Sequence, residues 1–175
     1  MRLTRYLALP IALTLLLLLP ACERKPDLAR ANVYRNSGLE LEYPGNWTME
    51  SALVSPDLTY IMIQSPGESF VMIRTSLPGE NDDLRMFALS FPVMVDETAS
   101  ITVLNAIKAS DGEPAFESHH VLHTMGTTVE CTRVFRKKTV GGKTFFFLNQ
   151  ATDHAFPKVS PGFDLIVKSL SYKKP

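Results

Sequence analysis

The stretch TTVECTRVFRKKTVGGKTFFFLNQ, residues 127–150, reads as two β-strands joined by a tight turn. β-Branched and aromatic residues fill 127–137 and 143–150, the composition of strands. The break at Val140-Gly141-Gly142 is too short for anything but an antiparallel hairpin, because parallel neighbours need a crossover of about a dozen residues or more. Alternation sends Phe145 and Phe147 to one face and Phe146 to the other, so both faces of this sheet are expected to be covered.

Working outward, residues 115–124 and 101–109 have the same character. They are set off by Met125-Gly126 and by Asp111-Gly112-Glu113-Pro114, which extends the hairpin into an antiparallel meander. Before the meander, Asn81, Asp82 and Asp83 supply cap residues for a helix with apolar positions Leu84, Phe87, Ala88, Phe91 and Val95. Pro92 is expected to end or bend it. Residues 59–64 and 70–77 form a second hairpin across Ser65-Pro66-Gly67-Glu68. Leu39, Leu41 and Tyr43 alternate with Glu40 and Glu42 as a half-buried strand that stops at Pro44-Gly45-Asn46, after which Trp47 restarts an apolar stretch. Downstream, Ser160-Pro161 reads as an N-cap with proline at the first helical position, ahead of a stripe of Phe163, Ile166, Val167 and Leu170. Strands and helices segregated in this way predict an α+β domain, a central antiparallel β-sheet flanked by helices.

Three short motifs fall along this plan. Residues 39–47, Leu-Glu-Leu-Glu-Tyr-Pro-Gly-Asn-Trp, resemble the opening strand and Tyr-Pro-x-x-Trp turn of PsbP-like domains, including the bacterial DcrB-type lipoproteins. Gly112-Glu113-Pro114-Ala115 resembles their Gly-x-x-Ala turn, and residues 163–170 resemble their closing helix. The resemblance implies an α/β/α sandwich and a non-enzymatic role as an accessory or assembly factor.

The N-terminus has a different character. Arg2 and Arg5 precede an apolar run over residues 6–21, shorter than the roughly 20 residues of a spanning helix, as in a signal peptide. Leu19-Pro20-Ala21-Cys22 resembles the bacterial lipobox, which implies cleavage before Cys22 and its conversion to an N-palmitoyl, S-diacylglycerol cysteine. Two or three acyl chains anchor stably where one is marginal, at roughly 0.8 kcal/mol per buried methylene. Glu23 is not the aspartate that resembles an inner-membrane retention signal, so the outer membrane facing the periplasm is favoured over the inner membrane. The expected organisation is a signal peptide at 1–21, a lipidated N-terminus and tether at 22–33, and one globular domain at 34–175.

Charge and cysteine usage narrow the partners. The chain holds 18 basic and 18 acidic residues, and from Cys22 onward 16 against 18, so no excess of positive charge argues for nucleic acid. With Cys22 taken by lipid, Cys131 has no disulfide partner within the chain and reads as a small buried apolar side chain.

Residues that carry chemistry are few. His119, His120 and His123 invite a metal reading, but on a strand His119 and His123 stand about 13 Å apart, too far for one ion. Asp153-His154 would suit a hydrolytic triad, yet no Gly-x-Ser-x-Gly elbow places a nucleophile, and Ser118 merely adjoins His119. Asp82, Asp83 and Glu97 read as a helix cap and surface charge. Arg133, Arg136, Lys137, Lys138 and Lys143 gather near the Gly141-Gly142 turn. They read as a solvated hairpin whose lysines guard sheet edges, with an anionic partner as the alternative. Nucleotide-binding glycine loops are absent, and Asn46-Trp47-Thr48 fits a glycosylation sequon incidentally. Trp47, Tyr43 and the three phenylalanines are assigned to the core rather than to a ligand pocket.

The expected function is a non-enzymatic, lipid-anchored envelope module. It needs no cofactor and has the membrane and an envelope protein as partners. The alternatives are a metal-binding protein or hydrolase using His119, His120 and His123, and a carrier of a small hydrophobic ligand.

Overall fold

The computed structural model describes residues 24–55, 58–76, 82–90, 104–124 and 127–174, with the backbone alone for 122–124 and 127. The signal peptide, Cys22, Asn81, Phe91, Pro92, Val95, Glu97 and the expected start of the meander at Ile101 lie outside these residues.

The chain is α+β. A seven-stranded antiparallel sheet has the order β3-β4-β5-β9-β8-β7-β6. Its strands are β3 (Thr48–Val54), β4 (Thr59–Gln64), β5 (Phe70–Thr75), β6 (Asn105–Lys108), β7 (Pro114–Thr124), β8 (Thr127–Val140) and β9 (Lys143–Thr152). Both hairpins and the meander form as expected. At the tip of β8–β9, Gly141 and Gly142 both take positive φ, +59° and +75°, the conformation in which a two-residue turn follows the strand twist. At the β3 edge the pairing slips between Met49 and Ser51, an irregularity that spoils a clean edge for further pairing.

A smaller three-stranded sheet has the order β1-β2-β10, with β1 (Asn32–Asn36), β2 (Leu39–Tyr43) and β10 (Ser171–Tyr172). Together with helix α2 (Phe156–Ser169) it covers one face of the large sheet. The core between them holds Leu39, Leu41, Ile61, Ile63, Phe145, Phe147, Phe163 and Ile166, all at most 2% exposed. Each such side chain contributes roughly 1.5–3 kcal/mol by leaving water. Trp47 closes the end of this core, its ring edge-on to Phe163 with the ring centres 5.4 Å apart.

Helix α1 (Leu84–Ser90) covers part of the opposite face. Asp83 is its N-cap, with Oδ1 accepting from the Arg85 and Met86 amides at 2.7 and 3.1 Å. Leu84, Phe87 and Ala88 are its buried positions, and Phe87 stacks on Phe146 at 4.6 Å. The opposite directions expected for Phe146 and its neighbours are thus realised, and Phe145 to Phe147 serve two cores.

Two expectations are corrected. Helix α2 begins at Phe156, not after Ser160. Pro157 occupies its first turn, where a missing N–H costs nothing, and Pro161 lies inside the helix. The Pro157 carbonyl that Pro161 cannot serve accepts from the Ser160 hydroxyl at 3.3 Å, so the presumed cap residue repairs the proline instead.

The tether expected at residues 22–33 is docked from Lys25 onward. Asn46 accepts from the Asp27 amide at 2.8 Å and donates to the Lys25 carbonyl at 2.9 Å, and the Gly45 amide donates to the Asp27 carbonyl at 3.0 Å. A side chain at Gly45 would run into the Arg30 carbonyl, so the close approach of the two segments requires glycine there. Strand β1 then starts at Asn32, so the domain begins before residue 34.

Candidate functional site

Strand register divides the histidines. His119 pairs with Thr132, which pairs with Ala151 of the core beneath α2; His120 pairs with Cys131, on the α1 face. Adjacent residues of a strand point to opposite faces, so β7 does not bring His119 and His120 to one site. The side chain of His123 lies outside the described residues. Among those residues no group of three metal-ligating side chains converges.

On the α2 face His119 meets Asp153, which sequence spacing did not join to it. Thr132 Oγ1 donates to Asp153 Oδ1 at 2.7 Å and lies 3.1 Å from His119 Nδ1. One threonine hydroxyl thus stands between the carboxylate of Asp153 and Nδ1 of His119. Its Nε2 faces Glu117 Oε1 at 3.3 Å. Both ring nitrogens of His119 therefore face an oxygen of a neighbouring side chain. The arrangement bridges β7, β8 and the entry to α2. His154 is exposed.

On the α1 face Ser118 Oγ and His120 Nε2 are 2.7 Å apart. Burial, with Arg133 and then His119 adding positive charge nearby, pushes His120 down to about 4, so it is neutral at ordinary pH. This pair has the right atoms for a serine and its base, but Ser118 and His120 are only 4% and 5% exposed, and His120 Nδ1 finds no partner among the described residues to orient the ring. Burial likewise raises the Cys131 thiol, the opposite of what a reactive cysteine needs, and Cys131 is a buried, free side chain as expected.

The basic group near the β8–β9 turn is corrected from a solvated hairpin to a set of internal ties. Arg136 is 4% exposed and paired with Asp111 and with Asp164 of α2, the latter at 2.7 Å. Burial acts to raise the Asp111 carboxyl, but the Glu113 amide and Arg136 outweigh it and hold it below the usual range. Lys138 Nζ donates to the carbonyls of Val167, Lys168 and Leu170 at 2.8–2.9 Å, closing the C-terminal end of α2. Arg133 donates to Gln150 at 2.6 Å, Lys137 to the Asp82 carbonyl at 2.9 Å, and Lys143 sits over the Tyr172 ring. Alternation sends Arg136 and Lys138 toward α2, but their partners lie 25 or more residues away and leave no mark in local spacing.

Two open clefts flank this region. One of about 660 Å³ is lined by Asp82, Asp83, Arg85, Glu113, Phe116 and Lys137, and one of about 430 Å³ by Asp111, Lys138 and Lys168 among others. Both mix charges of either sign. Among the described residues no helix is long and apolar enough to cross a membrane. Trp47 is buried and Tyr43 packs against the core, as expected.

No family model matches the sequence, and no curated protein does. Solved structures similar to it include LpqN of Mycobacterium tuberculosis, involved in cell envelope biogenesis, at 12% identity and a TM-score of 0.41, covering 82% of this chain and 91% of that one. The cyanobacterial PsbP protein CyanoP of Synechocystis sp. PCC 6803 is similar at 16% identity and a TM-score of 0.44, covering 83% and 94%. Protein PA94 of Pseudomonas aeruginosa, of unknown function, is similar at 13% identity and a TM-score of 0.36, covering 77% and 92%.

Proposed function

We propose that this chain is a non-enzymatic lipoprotein of the bacterial cell envelope, anchored through an N-palmitoyl, S-diacylglycerol cysteine at Cys22 and serving as an accessory, assembly or protein-interaction module of PsbP-like type. The observation that carries the reading is Leu19-Pro20-Ala21-Cys22 at the end of a basic and then apolar leader, followed within three residues by the first docked residue of the domain. Glu23 after the cysteine favours the outer membrane, facing the periplasm, over the inner membrane. The side chains support a role without catalysis: His119 is tied to Asp153 through Thr132, His120 is buried, and Arg136 and Lys138 hold α2 in place.

Replacing Cys22 with serine and measuring membrane partition in cells tests the anchor. Loss of membrane association, with loss of incorporated palmitate, is expected; unchanged partition overturns it. Stoichiometric zinc in the purified protein, or loss of phenotype in a folded His119→Ala variant, would overturn the non-catalytic reading. Cross-linking in cells followed by affinity capture identifies the partner.

A further inference from the structure

Lipidation at Cys22 would place the acyl chains three residue steps from Lys25, a distance of at most about 11 Å whatever path the backbone takes. Lys25 is no longer free chain: its carbonyl accepts from Asn46, and Asp27 is held by Asn46 and Gly45. The domain therefore has almost no slack with which to stand away from the bilayer. What it exposes at that point suits a headgroup layer. Arg24, Lys25, Leu28 and Arg30 are all exposed, and Arg30 meets Asp27 at 3.9 Å with its own side chain still 88% exposed. Residues 24–30 carry three basic side chains against one acidic, whereas the rest of the chain from Cys22 onward has 13 basic against 17 acidic. A small positive excess, three basic residues against Asp27 and the adjoining Glu23, therefore lies beside the anchor.

We infer that residues 24–30, clasped by the 44–46 turn, form a membrane-contacting edge that rests on anionic phospholipid headgroups. This rests on the anchor reading above. Leu28 enters the interfacial region while the three basic residues meet phosphates, each worth roughly fivefold in partition near an anionic surface. The anchor and the edge then form a two-part attachment that fixes the orientation of the domain as well as its location. Glu113, exposed in the turn between β6 and β7, lies outside this edge.

The test uses full-length lipidated protein in vesicles of phosphatidylethanolamine and phosphatidylglycerol. A Cys131→Ala background carries a fluorophore at Ala29→Cys or at Glu113→Cys, both exposed positions. Headgroup-attached quencher is expected to quench the label at 29 several-fold more than that at 113. The contrast should shrink when phosphatidylcholine replaces phosphatidylglycerol, or when Arg24, Lys25 and Arg30 become glutamate. Equal quenching at the two positions, or a contrast indifferent to both changes, overturns the edge while Cys22-dependent partition leaves the anchor standing. Partition that survives Cys22→Ser overturns the anchor itself.

Discussion

His120 Nε2 lies 2.7 Å from the hydroxyl of Ser118, both on β7 and both buried, and the burial of this imidazole makes stability depend on pH in one direction. Burial, then Arg133 and His119, lowers His120 from an ordinary 6.5 to about 4 in the folded chain. As pH falls through 6.5 the unfolded chain takes up a proton that the folded chain refuses until about 4. Stability is therefore full above 6.5 and declines between 6.5 and 4, by up to about 3 kcal/mol at about 1.4 kcal/mol per pKa unit. Urea denaturation at neutral pH and near pH 4.5 should show this decline, and His120→Gln should flatten it. An equal slope in the variant would assign the decline to other groups.

Arg136→Met should destabilise the domain by about 2–4 kcal/mol in guanidinium denaturation. It leaves Asp111 and Asp164, each about three-quarters buried, without their shared cation. Arg136→Lys should recover less than half of this, because a single ammonium cannot reach two carboxylates with the geometry of a planar fork. Adding Asp111→Asn and Asp164→Asn to Arg136→Met should restore part of the loss.

Lys138 and Lys137 are neighbours with different work. Lys138→Met removes three hydrogen bonds from the last carbonyls of α2 and should cost about 1–2 kcal/mol. Lys137→Met gives up one exposed contact to Asp82 and should stay within about 0.5 kcal/mol. Thermal melts of the two variants side by side check the contrast.

Asn46→Ala removes both side-chain hydrogen bonds that hold residues 25–27. Trypsin should then cut after Arg24 and Arg30 several-fold faster, while the large sheet keeps its melting temperature within a few degrees. Unchanged cleavage would show that the Gly45 amide alone suffices for the clasp.

Legibility in the sequence followed the range of the interactions. The hairpins at 59–75 and 127–152 and the meander were visible because alternation and turn residues are local. The two-sided burial of Phe145 to Phe147 followed from alternation alone. The start of α2 was misplaced because Ser160-Pro161 carries the local signature of a cap, whereas the true first turn uses Pro157 and an alanine N-cap with no side-chain bond. Strand β1 was missed because its residues are mostly polar and its pairing with β2 supplies what its composition does not. The same holds for charged groups. Arg136 looked like one more solvated base until Asp111 and Asp164 came from distant segments, and His119 met Asp153 through Thr132 across three elements. The separation of His119 from His120 was legible, since strand periodicity dictates it.

Strand β2 has as neighbours β1 from the start of the domain and β10 from its end, and Glu42 is bonded to Ser169 across 127 residues. A chain that emerges N-terminus first cannot complete the small sheet, or seat α2 over Leu39 and Leu41, until residues 156–172 have arrived. A chain cut short before Phe156 would leave that core uncovered, so closure of the domain reports that its whole length has been made.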